Sequence, residues 1–286
     1  MSRMFVRLAI AVLGFGAAAL AAAHPPAWTQ PVNPFRIAPH IYYVGSKGLS
    51  AYLLTSDDGA VLIDGPLGEN ASLVEHNIES VGVPLKSVKW IVSDHAHNDH
   101  VGALAQIKKD TGAQFAASAG DRVALERGVP RGDTDYDIAD FHFSPITIDR
   151  VIGDGESVAV GDAVLTAHLT PGHTPGCTSW STIVGDGDRR LRVLFLCSIT
   201  VAGNILVGNR AYPSIAADYQ TTFAKLSAMK ADIVLTSHPE MADVLGRAAR
   251  LKRGDRAAFI DATFLPRFVA KSRKEFESAL RKAKHD

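Results

Sequence analysis

Only two cysteines, Cys177 and Cys197, occur in the 286 residues. That is too few for a disulfide-built scaffold or a cysteine-based zinc module. Charge of one sign is lacking as well: 30 Lys and Arg stand against 30 Asp and Glu, whereas a dedicated nucleic-acid binder carries a strongly basic footprint. No repeat, low-complexity tract or Pro/Gly-rich linker interrupts the chain. Its 47% hydrophobic content is that of an ordinary globular protein, which excludes extensive disorder and collagen-like repetition. Histidine, by contrast, is plentiful. Eleven are present, and this residue is both a common zinc ligand and a group that titrates near neutrality.

The first residues carry Arg3 and Arg7, an apolar run from Leu8 to Leu20, then Ala21-Ala22-Ala23. A positive start, a short apolar core and an Ala-x-Ala site describe a secretory signal peptide. The run is shorter than the roughly 20 apolar residues of a spanning helix, and no later stretch replaces it, so no stable membrane anchor is expected. Cleavage after Ala23 leaves residues 24–286 as one domain with 28 basic and 30 acidic residues, a net charge of −2. Export to the periplasm puts the two cysteines in an oxidising compartment. They lie in neighbouring apolar segments that can form adjacent strands, and a Cys177–Cys197 disulfide is expected.

Runs rich in Val, Ile and Tyr and bounded by turn residues predict strands at 41–44, 51–54, 61–63 and 88–92. Helical spacing is expected at 71–81 and from about His100 to Thr111, where Gly112 supplies a left-handed stop. A strand at 114–117 and a helix at 120–126 precede a mainly β stretch from Arg150 to Val201. Helices at 217–229, 242–252 and 261–284 and a strand at 233–235 complete the chain. This order predicts an α/β fold, with mixed sheets covered by helices. The last 40 residues hold 12 Lys and Arg against 5 Asp and Glu; an anionic partner is one reading and solvated helix faces the preferred one.

Chemistry concentrates in Ser93-Asp94-His95-Ala96-His97-Asn98-Asp99-His100, where the strand ending at Val92 gives way to a helix. Alternate residues of an extended stretch point the same way, so His95 and His97 can approach one ion, while Asp99 and His100 at the turn face a second. Neutral imidazole and carboxylate are ligands zinc accepts at roughly 2.0–2.2 Å. Two more histidines occupy strand-end loops: His173 within Thr170-Pro171-Gly172-His173-Thr174-Pro175-Gly176, and His238 within Thr236-Ser237-His238-Pro239-Glu240. Five histidines and one aspartate suffice for two ions with three protein ligands each. Asp64 is a candidate partner for the outer nitrogen of a ligand histidine.

The string His95-x-His97-x-Asp99-His100, the loop Pro171-Gly172-His173-Thr174 and the late His238 resemble the metallo-β-lactamase superfamily. The resemblance runs from Pro34 to Leu251 and includes Val61-Leu62-Ile63-Asp64-Gly65. It implies a four-layer αβ/βα sandwich, two mixed sheets flanked by helices, with metal along one edge. Many hydrolases of the superfamily carry a metal-bridging aspartate between the third histidine and the last. The corresponding segment here, Val193 to Thr200, has no carboxylate. With Ser198 aligned to the serine of subclass B3, the resemblance implies His95, His97 and His173 on one Zn2+ and Asp99, His100 and His238 on a second. A register one residue earlier would make Cys197 a ligand instead and break the disulfide. The implied activity is β-lactam hydrolysis of penicillins, cephalosporins and carbapenems by a zinc-bound hydroxide, with Asp99 as the catalytic carboxylate and Ser198 and Thr200 as substrate-binding hydroxyls. Other readings are a lactone or thioester hydrolase of the same superfamily and a non-catalytic periplasmic zinc-binding protein. The expected partner is a small β-lactam rather than a nucleic acid. A monomer is expected, although the neutral charge presents no barrier to association.

Overall fold

A computed structural model describes residues 24–130, 134 and 141–285. The expected leader, residues 1–23, lies outside them, as do residues 131–133 and 135–140, which include most of the stretch 133–143 expected from the sequence to face substrate. Strand β4 (Gly59–Ile63) is buried along its whole length. Ala60 and Leu62 belong to an apolar cluster on the helix side of their sheet, whereas Val61 and Ile63 turn to the opposite face and a second sheet. A strand with two apolar faces must be covered twice, and that requirement generates the layers.

The first sheet has seven strands in chain order: β1 (Phe35–Ala38), β2 (Ile41–Tyr43), β3 (Tyr52–Ser56), β4, β5 (Val88–Val92), β6 (Gln114–Ser118) and β7 (Arg150–Ile152). The first four are antiparallel; pairing from β4 onward is parallel. Parallel neighbours need crossovers, supplied by α1 (Ala71–Ser80), by α2 (Asn98–Val101) with α3 (Leu104–Thr111), and by α4 (Arg122–Arg127). The second sheet contains β8 (Ser157–Val160), β9 (Ala163–Leu169), β10 (Thr178–Asp186), β11 (Arg189–Leu196) and β12 (Ile233–Thr236), each beside the next. Only β11 and β12 are parallel, joined through α5 (Ile215–Ala228). The chain continues through α6 (Val244–Lys252) and α7 (Phe264–Ala283).

Ile41, Tyr52, Val61 and Ile63 of the first sheet meet Leu165, Trp180, Val193 and Phe195 of the second in the central layer. The alternate residues Leu194 and Leu196 face outward onto Tyr219 and Phe223 of α5 and Val269 and Phe276 of α7. Helix, sheet, sheet and helix are therefore stacked as the sequence implied. Strands β5, β9, β11 and β12 all end at one edge, where the histidine-bearing loops emerge.

Two local departures have clear causes. The helix expected from His100 to Thr111 is divided, because the Ala103 N–H bonds to the Pro66 carbonyl at 2.8 Å rather than continuing the helical ladder. Gly102 permits this approach: a Cβ there would lie 2.7 Å from the Gly68 nitrogen. The strand expected to run through Thr200 stops at Leu196, since beyond it the Cys197 N–H turns to the Ser179 hydroxyl at 3.1 Å. Strand β1 was not among the expected elements; its Phe35 ring is recognisable only in place, stacked on Tyr43. The basic C-terminal stretch is laced internally, with Arg247 and Arg267 on Asp261, Arg250 near Asp255 and Lys271 near Glu275, in keeping with solvated helix faces.

Cys177, just before β10, and Cys197, just after β11, form a disulfide with a Cα–Cα distance of 6.0 Å and a sequence separation of 20. It joins the loop carrying His173 to the segment carrying Ser198. Replacing both cysteines by alanine should lower unfolding free energy by about 3 kcal/mol, as expected for a loop of this size. Urea denaturation under oxidising conditions measures this; an unchanged midpoint would show that the bridge contributes nothing.

Candidate metal centre

The loop leaving β5 runs extended through His97 before turning into α2, so His95 and His97 emerge from the loop and Asp99 and His100 from the first helical turn. His95, His97 and His173 bring ring nitrogens within 4.8 Å of one another. Asp99, His100 and His238 form a second group of the same size. All six residues expected as ligands thus gather at one edge, in the two sets inferred from the resemblance.

A ligand histidine must offer a lone pair, which requires its proton to be held elsewhere. His95 Nδ1 lies 2.8 Å from Asp94 Oδ1, leaving Nε2 directed toward His97 Nδ1 at 3.2 Å. His173 Nδ1 donates to the Thr200 carbonyl at 2.9 Å, leaving its other nitrogen for the site. In the second group Asp99 Oδ2 is 3.1 Å from His100 Nε2 and 3.4 Å from His238 Nε2. His100 Nδ1 is buried without a hydrogen-bond partner. Converging imidazole nitrogens and a carboxylate, all but His97 and His238 buried, constitute a donor set suited to divalent cations.

Electrostatics separates the histidines. Burial, reinforced by neighbouring imidazoles, pushes His95 down to about 4 and His97 and His173 down to about 3. Burial opposes protonation of His100 too, but the carboxylates of Asp99 and Asp94 prevail and carry it up to about 10. Asp64 is pushed well above the usual carboxylate range by burial and by Asp94 beside it.

Ser198 Oγ and Thr200 Oγ1 lie 3.0 Å apart beside the site, and the Thr200 backbone has a second use, since its carbonyl accepts both His173 and the Tyr219 hydroxyl. Gly172 adopts φ +143°, and a Cβ there would strike the Tyr219 ring at 2.8 Å; glycine lets the His173 loop lie on that ring. The Cys197 sulfur comes within 3.8 Å of His95 Nδ1 but is bonded to Cys177, so it is not a thiolate donor here. Asp64 stands one step back from its expected place. Its carboxylate accepts the Asp94 N–H at 2.8 Å, while Asp94 itself holds His95. Asp94 stood in plain view beside the first histidine, and that adjacency was the available signal. Trp28, which packs 5.8 Å from the His238 ring, gave none, being remote in sequence.

A family model described as the metallo-beta-lactamase superfamily matches residues 47–238, and the chain belongs to that superfamily. Within it the structural likeness is to subclass B3 enzymes. A subclass B3 metallo-beta-lactamase of Bradyrhizobium japonicum, BJP-1, superposes with a TM-score of 0.86 at 40% identity, over 91% of this chain and 98% of that one. FEZ-1 from Legionella gormanii gives 0.85 at 34% identity, over 90% of this chain and 99% of that one. A hydroxyacylglutathione hydrolase of Anaeromyxobacter dehalogenans is 32% identical over 125 residues, 44% of this chain and 38% of that enzyme. A probable metallo-hydrolase of Burkholderia pseudomallei is 29% identical across 32% of this chain and 31% of its own length. The chain therefore spans only about a third of these two curated relatives.

The protonation pattern is directly observable. With metal removed by chelation, at about pH 7.5, histidine-labelled NMR should show His100 as imidazolium, because its pKa lies above that pH, and His95, His97 and His173 as neutral rings, because theirs lie below it. A neutral His100 would contradict the charge balance described here.

Proposed function

We propose that the protein is an exported di-zinc hydrolase that opens the β-lactam ring of antibiotics and so confers resistance. Residues 1–23 act as the cleaved leader, and the mature enzyme works in the periplasm. His95, His97 and His173 hold one Zn2+; Asp99, His100 and His238 hold the other. The observation that carries the choice of substrate class is the end of β11. It presents a disulfide-bonded cysteine and then Ser198, with no carboxylate where many superfamily hydrolases have a metal-bridging aspartate. The likeness to B3 enzymes over nearly the whole chain supports the same reading.

When bound, such a metal pair supplies an acidified water as nucleophile and polarises the carbonyl under attack. The chain's own residues then set geometry and proton traffic. Asp94 and the Thr200 carbonyl fix His95 and His173 in the tautomers that ligation requires. Asp99 has one oxygen shared between His100 and His238; its other oxygen accepts the proton of the attacking water and orients it toward the carbonyl. The Ser198 and Thr200 hydroxyls hydrogen-bond the substrate carboxylate and fix the ring above the His95, His97 and His173 set. Water adds to the carbonyl carbon, the carbon–nitrogen bond breaks, and the proton taken up by Asp99 passes to the departing ring nitrogen, which restores the carboxylate.

The hydroxyacylglutathione hydrolase match supports thioester hydrolysis as a second reading. A substrate panel with zinc-loaded mature protein separates the two. Turnover of nitrocefin or a carbapenem is expected; activity restricted to thioesters or lactones would reject the β-lactam assignment. His97→Ala should reduce kcat/KM by more than roughly tenfold through loss of a metal ligand, and a smaller loss would reject the proposed ligand set.

A further inference from the structure

Asp121 immediately precedes α4, in the position where an aspartate ordinarily caps a helix. Its side chain makes no such capping bond. The buried carboxylate turns away from its own helix and accepts three hydrogen bonds from the loops behind the metal centre. Oδ2 receives the Ala96 N–H and the Thr174 hydroxyl, both at 2.9 Å, and Oδ1 receives the Gly176 N–H at 2.8 Å. Ala96 lies between His95 and His97; Thr174 follows His173. One carboxylate thereby joins the two loops that supply all three histidines of the first set, one loop from each sheet.

The joint is tight on every side. A Cβ on Gly176 would lie 2.5 Å from Asp121 Cγ, and one on Gly120 would lie 2.3 Å from the Pro175 carbonyl oxygen. The Ser118 hydroxyl adds a bond to the Gly176 carbonyl at 2.7 Å. None of the groups bonded to the Asp121 carboxylate belongs to the Asp99, His100 and His238 set. The geometry points to Asp121 as a positioning residue that sets the spacing of the His95/His97 loop against the His173 loop, and hence the affinity of the first metal subsite but not the second. This rests on the ligand sets proposed above.

Asp121→Asn preserves shape but converts one acceptor into a donor, so a backbone N–H in the joint must face an N–H2. Zinc affinities of the two subsites would be measured on the mature, disulfide-intact protein by chelator competition, together with the visible spectrum of the Co2+-substituted protein. We expect first-subsite affinity to fall roughly 10–100-fold, the range found when outer hydrogen-bond partners of metal ligands are removed. The Co2+ bands of that subsite should shift, while the second subsite stays within about threefold. Unchanged first-subsite affinity, or equal losses at both subsites, would overturn the inference. Should Asp121→Asn fail to fold, Thr174→Val removes one donor only and decides the matter: a selective loss at the first subsite supports the assignment, and no selective loss refutes it. If the unsubstituted protein binds no zinc, the ligand assignment has failed; if it binds two ions and the variants match it, only the role of Asp121 has.

Discussion

The metal centre depends on one kind of hydrogen bond, that from the outer nitrogen of a ligand histidine to a fixed acceptor. An imidazole can present a lone pair only when its proton is held on the other side. Asp94 supplies the acceptor for His95 and the Thr200 carbonyl supplies it for His173. Both acceptors are themselves constrained. Asp64 accepts the Asp94 N–H, and the Tyr219 hydroxyl shares the Thr200 carbonyl. Burial makes these bonds consequential, because it drives the rings toward their neutral, ligating form and penalises any polar atom left without a partner.

The two-sheet scaffold exists at this edge to hold loops from separate sheets at one height. Apolar packing between the sheets is non-directional and cannot alone set that height. Specific buried hydrogen bonds cross the gap instead. The Trp180 indole, on the second sheet, donates to the Ser93 carbonyl at 3.0 Å, beside the first ligand loop. Ser50, in the connection before β3, and Tyr52 of β3 donate to the Thr236 carbonyl at 2.8 and 2.7 Å, beside His238. These contacts couple the packing of the core to the alignment of the site.

Charge is distributed to match. Aspartates 64, 94 and 99 are buried together near His100, an arrangement in which a positively charged occupant offsets repulsion among the acids. Four of the basic residues of the C-terminal stretch, Arg247, Arg250, Arg267 and Lys271, pair with acids of the same stretch. Overall neutrality thus conceals a buried acidic cluster and a basic C-terminal stretch.

Local patterns in the sequence were enough to determine the alternation of strands and helices and the layered α/β class, and they singled out the six side chains that the structure gathers into two groups. Strands such as β5 show themselves by composition, and four ligand-type side chains within His95 to His100 have a spacing with direct geometric meaning. The disulfide was also readable, since two cysteines in neighbouring apolar segments of a chain expected to be exported have few other fates. Tertiary structure alone decided which groups support the ligands. Asp94 rather than Asp64 touches His95 because a strand-end turn places the one behind the other. Asp121 serves the metal loops rather than its own helix because β6 ends beneath the point where loops from both sheets meet. The helix expected from His100 onward breaks because Pro66, distant in sequence, takes its hydrogen bond. Each of these outcomes depends on partners far apart along the chain, and local propensity and spacing carry no information about such pairs.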